Sequence, residues 1–192
     1  MYKIMILTDS DGCPRSFPAS EAFELEETYP YLIREHFKSS TFWQLSYGDI
    51  TTMKLVNQPM GYLTHWDPNI IIIQSGINDC KPEEFSDLQK DLKSSFRTTI
   101  KKFKLVFSKS KIFWLEICVG TRCEETCPGI NRRVAEYNRI IAQVYGEDFV
   151  SVQKKMLEVD GFNAADHVHW NKRAHQAAAD ILIERINACI KL

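Results

Sequence analysis

Four consecutive isoleucines, Ile70 to Ile73, stand between Pro68 and Gly76 and constrain the fold more than any other feature of the chain. β-Branched side chains favour the pleated backbone, and a run that is apolar at every position has to be covered on both faces. Such a strand belongs inside a sheet layered by helices. Further short apolar runs occur at 3–7, 41–45, 111–119 and 149–152. Longer amphipathic segments lie between them at 20–37, about 82–107, 131–145 and 171–190. In 20–37 the side chains of Phe23, Tyr31, Leu32 and Phe37 make an apolar face, and in 131–145 Val134, Tyr137, Ile141 and Val144 do the same. The alternation predicts an α/β chain, a three-layer α/β/α sandwich around a five-stranded, mainly parallel sheet. The 192 residues suit one domain over 1–192 and suffice to bury a sizeable core.

The net charge of −1 is spread over both signs, and Lys101, Lys102 and Lys104 read as the wet face of a helix. Neither nucleic acid nor a membrane is expected as a partner. The apolar run after Lys3 is interrupted at Thr8, too soon for a secretory signal, and no stretch approaches the roughly 20 apolar residues of a membrane span. The expected location is the cytosol, where the six cysteines stay reduced. Cys123 and Cys127 form one close pair without a second, a weak zinc pattern. They fall in a segment, 119–129, that follows a strand end and is placed either to cover a site or to be a surface loop.

In an open parallel sheet ligands bind at the carboxyl ends of the strands. Asp9-Ser10, Gly48, Gly76-Ile77-Asn78-Asp79 and the stretch from Asp166 to His169 all follow apolar runs or precede the last helix. A serine hydroxyl becomes a nucleophile when an imidazole takes its proton and a carboxylate fixes the tautomer of that imidazole. Ser10, His169 and Asp166 are the candidates for these roles. Developing negative charge needs donors, for which the amides of Ser10 and Gly48 and the side chain of Asn78 are placed.

These blocks resemble the SGNH/GDSL hydrolase family. They read Thr8-Asp9-Ser10, Tyr47-Gly48-Asp49, Gly76-Ile77-Asn78-Asp79 and Asp166-His167-Val168-His169. Asp67-Pro68-Asn69, Glu136-Tyr137-Asn138, and Asn171 with Ala174-His175 agree as flanks. The resemblance implies a flavodoxin-like fold and a serine esterase without metal or organic cofactor. It also implies Ser10 as nucleophile, His169 as base, Asp166 as its orienter, and Ser10, Gly48 and Asn78 as the oxyanion hole. Its implied substrate is a small-molecule ester, a small acyl such as acetyl on a sugar or metabolite. Asp11, Asp79 and His167 are expected at a polar mouth, and Trp170, next to the base, is placed either to stack on a substrate ring or to pack the start of the last helix. Two positions depart from the pattern: Thr8 stands for the family's glycine and Asp11 for its leucine.

Three other readings use the same residues. Thr8-Asp9-Ser10-Asp11-Gly12 also resembles the Asp-x-Asp-Gly opening of haloacid-dehalogenase-like phosphatases, which implies Asp9 as nucleophile, a required magnesium and Ser75 as the second-strand hydroxyl, but no lysine with a paired-acid motif follows and Asn78, Asp166 and His169 are left idle. His167 and His169 with Asp166 and His175 have metal-ligand chemistry but lack a second ligand-rich segment. A binding module that kept the fold and lost activity fits the Thr8 and Asp11 departures and not the intact triad.

Overall fold

The computed structural model describes residues 1–16, 18–81 and 95–190. Five strands, β1 Lys3–Thr8, β2 Thr41–Ser46, β3 Ile70–Gln74, β4 Lys111–Leu115 and β5 Phe149–Val150, form one sheet in the order β2-β1-β3-β4-β5. Every pairing is parallel, with Ile4 to Thr8 of β1 facing Ile70 to Gln74 of β3. The isoleucine strand lies at the centre and is buried throughout.

Alternation along the pleat sends its side chains to two cores. Ile71 and Ile73 join Met5, Leu7 and Trp114 under helices α2 Thr52–Tyr62, α3 Arg97–Val106, the single turn α4 Cys123–Thr126, and α5 Ile130–Tyr145. Ile70 and Ile72 join Ile4, Ile6 and Phe113 under α1 Tyr29–His36, α6 Gln153–Glu158 and α7 Lys172–Ile190. Each fully buried isoleucine contributes roughly 1.5–3 kcal/mol of apolar transfer, so the strand anchors both layers. In α7 the small side chains of Ala174, Ala177 and Ala178 are buried and let the helix settle close on the sheet.

Several boundaries differ from expectation. The helix expected over 20–37 is confined to Tyr29–His36, preceded by 3₁₀ turns at Ala19–Glu21 and Leu25–Glu27. Pro30 accounts for this, because proline has no N–H to give the preceding turn and fits only the first turn of a helix. Phe23 instead pairs with Arg15 in an isolated antiparallel bridge. Helices α2 and α6 were not expected; Pro59 and Gly61 lie within α2 and break its sequence signal. The strand expected over 111–119 ends at Leu115 and the one over 149–152 at Val150. Of the helix expected over 82–107, the part at 82–94 lies outside the described residues. Among the described residues no helix is long and apolar enough to cross a membrane.

Candidate active site

The sheet order reverses between β1 and β3, and the crevice at their carboxyl ends is where such sheets bind ligands. Ser10 opens a 3₁₀ turn, Ser10–Gly12, directly after β1. Asp9 caps it: one carboxylate oxygen accepts the Asp11 amide at 3.1 Å and the other accepts the Gly76 amide at 3.3 Å. The turn is compact enough that a Cβ on Gly12 would lie 1.9 Å from the Thr8 methyl. Gly12 thus makes the room that Thr8 takes up in the place of the family's glycine. Gly76 is held equally closely: its φ is +138°, and a Cβ there would lie 2.1 Å from Ile117.

The candidate base, His169, comes from the loop before α7. Asp166 Oδ1 accepts the amides of Val168 and His169, each at 3.0 Å, which folds the loop into a tight turn. His167 adopts the left-handed conformation within it, at φ 54°, a region more open to His, Asn and Asp than to most residues. His169 Nδ1 then lies 2.8 Å from Asp166 Oδ2, and His169 Nε2 lies 3.2 Å from Ser10 Oγ. Partial burial tends to raise the Asp166 carboxyl, but the His169 ring and the two amides outweigh it and hold the group well below the usual carboxylate range. Arg15, placed by its bridge to Phe23, adds a guanidinium 3.6 Å from Asp166 Oδ2.

Ser10, Asp166 and His169 line one cavity of about 370 Å³ together with Gly48 and Asn78. Asn78 is almost fully buried and gives one N–H to the Ile50 carbonyl at 3.1 Å. A side-chain amide has two such hydrogens, so the bond orients the group and spares a donor. Much of the remaining wall is apolar: Ile77, Ile130, Val168, Cys123 and Cys127. The 119–129 segment therefore forms part of the cavity. At the rim Lys81 and Asp49 pair at 2.8 Å.

None of the three residues expected at a polar mouth lines this cavity, and neither does Trp170. Asp11 is buried, with one oxygen on the Trp170 amide and the other on the Gln74 side chain, both at 3.1 Å. Asp79 is buried and accepts the Thr52 amide at 2.9 Å, at the start of α2. Trp170 is buried beside Tyr29, ring centroids 5.8 Å apart. His167 lines a separate surface cleft with Glu21, Phe162 and Asn171, while its carbonyl accepts the Gly120 amide at 2.7 Å. A sequence displays the polarity of these side chains but not their burial. The chain also brings in Arg15 and Gln74, which had not been singled out. Arg15 carried no signal, whereas Gln74, a polar end to an otherwise apolar buried strand, did.

The other readings fare poorly on geometry. Asp9 and Asp11 are buried with their oxygens bonded to protein groups, and burial raises both, Asp9 well above the ordinary value and further through its neighbour Asp11. Neither faces a crevice as a phosphatase nucleophile must. Burial lowers His175 to about 3, and its Nδ1 accepts the Tyr29 amide, remote from any shared ligand set. Among the described residues no group of three or more His, Cys, Asp or Glu side chains is arranged to hold a metal.

The sequence profile of a family described as GDSL-like lipase/acylhydrolase matches residues 37–182. The chain belongs to that family. It is an ester-hydrolysing enzyme of the GDSL type, and the matched span contains Gly48, Asn78, Asp166 and His169, while Ser10 precedes it. No curated protein matches the chain. In structure this GDSL hydrolase is similar to the lipase/acylhydrolase from Enterococcus faecalis, with TM-score 0.73 and 15% identity over 98% of this chain and 96% of that one. It is also similar to a catalytic mutant of an acetylxylan esterase from Geobacillus stearothermophilus, with TM-score 0.68 and 18% identity over 96% and 94% of the two chains. A third likeness is to a psychrotrophic esterase from a Pseudoalteromonas species in a structure inhibited by monoethylphosphonate, with TM-score 0.65 and 16% identity over all of both chains. At these identities the shared property is the fold, and it agrees with the α/β/α sandwich and parallel sheet.

Proposed function

We propose that Ser10, His169 and Asp166 act as a catalytic triad that cleaves a small-molecule ester through an acyl-enzyme. The observation that carries the reading is the line Ser10 Oγ, His169 Nε2, His169 Nδ1, Asp166 Oδ2, with gaps of 3.2 and 2.8 Å at the wall of a cavity. Ser10 Oγ attacks the ester carbonyl and its proton passes to His169 Nε2, while Asp166 holds the proton on Nδ1 and stabilises the imidazolium. The carbonyl oxygen gains charge beside the amides of Ser10 and Gly48 and the spare N–H of Asn78. Collapse expels the alcohol with the proton from His169, and water, deprotonated by the same imidazole, releases the acid.

The substrate is a small acyl ester, acetyl on a sugar or metabolite, in keeping with the acetylxylan esterase among the structural neighbours. Ile77, Ile130 and Val168 line the cavity with Ser10 and give its wall an apolar surface for the acyl group. A fluorophosphonate probe should label wild type at Ser10 and leave Ser10→Ala unlabelled; labelling that survives the substitution removes the triad. In a panel of p-nitrophenyl acetate, butyrate and octanoate, kcat/KM should be highest for the short acyl groups. Preference for octanoate would replace the small-acyl reading with one in which the apolar wall holds a chain.

A further inference from the structure

The two departures from the family pattern, Thr8 and Asp11, sit at the ends of one hydrogen-bonded chain. The Thr8 hydroxyl donates to Gln74 Oε1 at 2.6 Å, Gln74 Nε2 donates to Asp11 Oδ2 at 3.1 Å, and the Trp170 amide donates to Asp11 Oδ1 at 3.1 Å. Thr8, Gln74 and Asp11 are all buried. Asp11 follows the nucleophile Ser10, and Trp170 follows the base His169. Two rungs therefore join the same two backbone segments: Ser10 Oγ to His169 Nε2 at 3.2 Å, and beside it Asp11 to the Trp170 amide.

We infer that Asp11 is a positioning residue, held by Gln74 and Thr8, that clamps the base loop to the nucleophile turn and sets the distance between Ser10 and His169. The inference rests on the triad reading above. A leucine at position 11 has no atom to receive the Trp170 amide, so the clamp belongs to this chain and to its pairing of Thr8 with Asp11. Gln74 gives the carboxylate one rotamer, because its own amide is pinned by the Thr8 hydroxyl. The outer rung is buried and hydrogen-bonded at both oxygens, whereas His169 is partly exposed. Its loop is also held by the Gly120 amide on the His167 carbonyl, the Asn163 amide on the His169 carbonyl and Arg15 beside Asp166, but the Asp11 bond is the one that joins the residue next to Ser10 to the residue next to His169. Loosening the outer rung frees the inner one, and a displacement of about 1 Å between reacting groups can reduce turnover on the order of 10²-fold.

Asparagine at position 11 can rebuild the chain. Its Oδ1 accepts from the Trp170 amide, its Nδ2 donates to a Gln74 amide turned over, and Gln74 Nε2 then donates to Thr8 Oγ1. The hydroxyl hydrogen of Thr8, released from Gln74, turns to the Asp9 carbonyl 3.4 Å away. Asp11→Ala has no such route.

The test measures kcat and KM on a cleaved ester beside amide hydrogen exchange at Trp170, for wild type, Asp11→Ala, Asp11→Asn, Thr8→Val and the Thr8→Val/Asp11→Ala pair. Asp11→Ala should lower kcat on the order of 10²-fold with KM nearly unchanged and speed exchange at the Trp170 amide. Asp11→Asn should recover most of both losses. Thr8→Val should weaken kcat in the same direction, and in the pair it should add nothing to Asp11→Ala, since the chain is already cut. The inference is overturned if Asp11→Ala exchanges faster at Trp170 yet turns over normally, if Asn is as damaging as Ala, or if the Thr8 and Asp11 losses simply multiply. Unchanged exchange at Trp170 overturns it as well, and that readout needs no turnover. Failure of the triad reading shows separately, as wild-type turnover that survives Ser10→Ala.

Discussion

Asp166→Asn gives the sharpest test of the proton relay, because the hydrogen bonds around the residue dictate how an asparagine sits. Asp166 Oδ1 accepts two backbone amides at 3.0 Å, and only an oxygen can replace it there. The asparagine Oδ1 must take that place, which puts Nδ2 where Oδ2 was, 2.8 Å from His169 Nδ1. Two donors cannot face each other, so the imidazole switches its proton to Nε2 and presents Nδ1 as an acceptor. His169 Nε2 then cannot receive the Ser10 proton. Loss of the correct tautomer in such triads lowers kcat about 10⁴-fold, and at 1.36 kcal/mol per decade the barrier rises by roughly 5 kcal/mol. The loop keeps both amide bonds, so the melting temperature should move little; the surrendered Arg15 contact, at 3.6 Å, is long. Steady-state kinetics, fluorophosphonate labelling of Ser10 and a melting curve complete the assay. Turnover within tenfold of wild type would refute the relay. A large drop in melting temperature would instead mean that Asp166 chiefly holds the loop. Asp160→Asn is the control: its carboxylate pairs with Arg173 at 2.9 Å on the surface, and its loss should leave turnover unchanged.

Two further outcomes are expected. Asn78→Ala should cut kcat on the order of 10²- to 10³-fold with a smaller effect on KM, as for one oxyanion donor, and a near-normal kcat with a depressed melting temperature would leave Asn78 only its bond to Ile50. Because burial lowers His175 from 6.5 to about 3, the fold excludes a proton that the unfolded chain binds; this stability is full above pH 6.5 and is lost as pH falls toward 3. Between pH 6.5 and 4 wild type should lose roughly 3 kcal/mol more unfolding free energy than His175→Gln, and equal losses in denaturant titrations would refute the assignment.

The sheet was legible because its signal is local and redundant. A run of four isoleucines between breakers has one physical solution, and the regular alternation with amphipathic segments leaves little choice of layer. Helix starts were less legible where a distant group does the capping. The first turn of α2 is capped by Asp79, which reaches the Thr52 amide and hydroxyl at 2.9 and 3.0 Å from the turn that follows β3. Thr51 and Thr52 therefore show none of the side-chain capping within the segment that would announce a helix, and Pro59 argues against one. In α1 the opposite error arises: hydrophobic spacing continues upstream of Pro30, but the proline decides where the helix begins.

In the candidate site the same division separates the proposed reacting groups from their supports. Ser10, Asn78 and His169 stand at strand or helix ends, where residue type and position together suggest chemistry. Asp11, Asp79 and Trp170 stand beside them in the chain; the two carboxylates were expected at the cavity mouth, and for Trp170 both a place on substrate and a place in the packing stood open. Adjacent residues on a tight turn face different ways, however, and these three point into the fold while their neighbours line the cavity. Burial of a carboxylate requires partners, so Asp11 had to find donors inside the protein. It found them on β3 and on the base loop. The acidic residue that was expected at the cavity mouth is thereby joined to the base loop, and we infer that its effect on chemistry runs through the distance between Ser10 and His169 rather than through its charge.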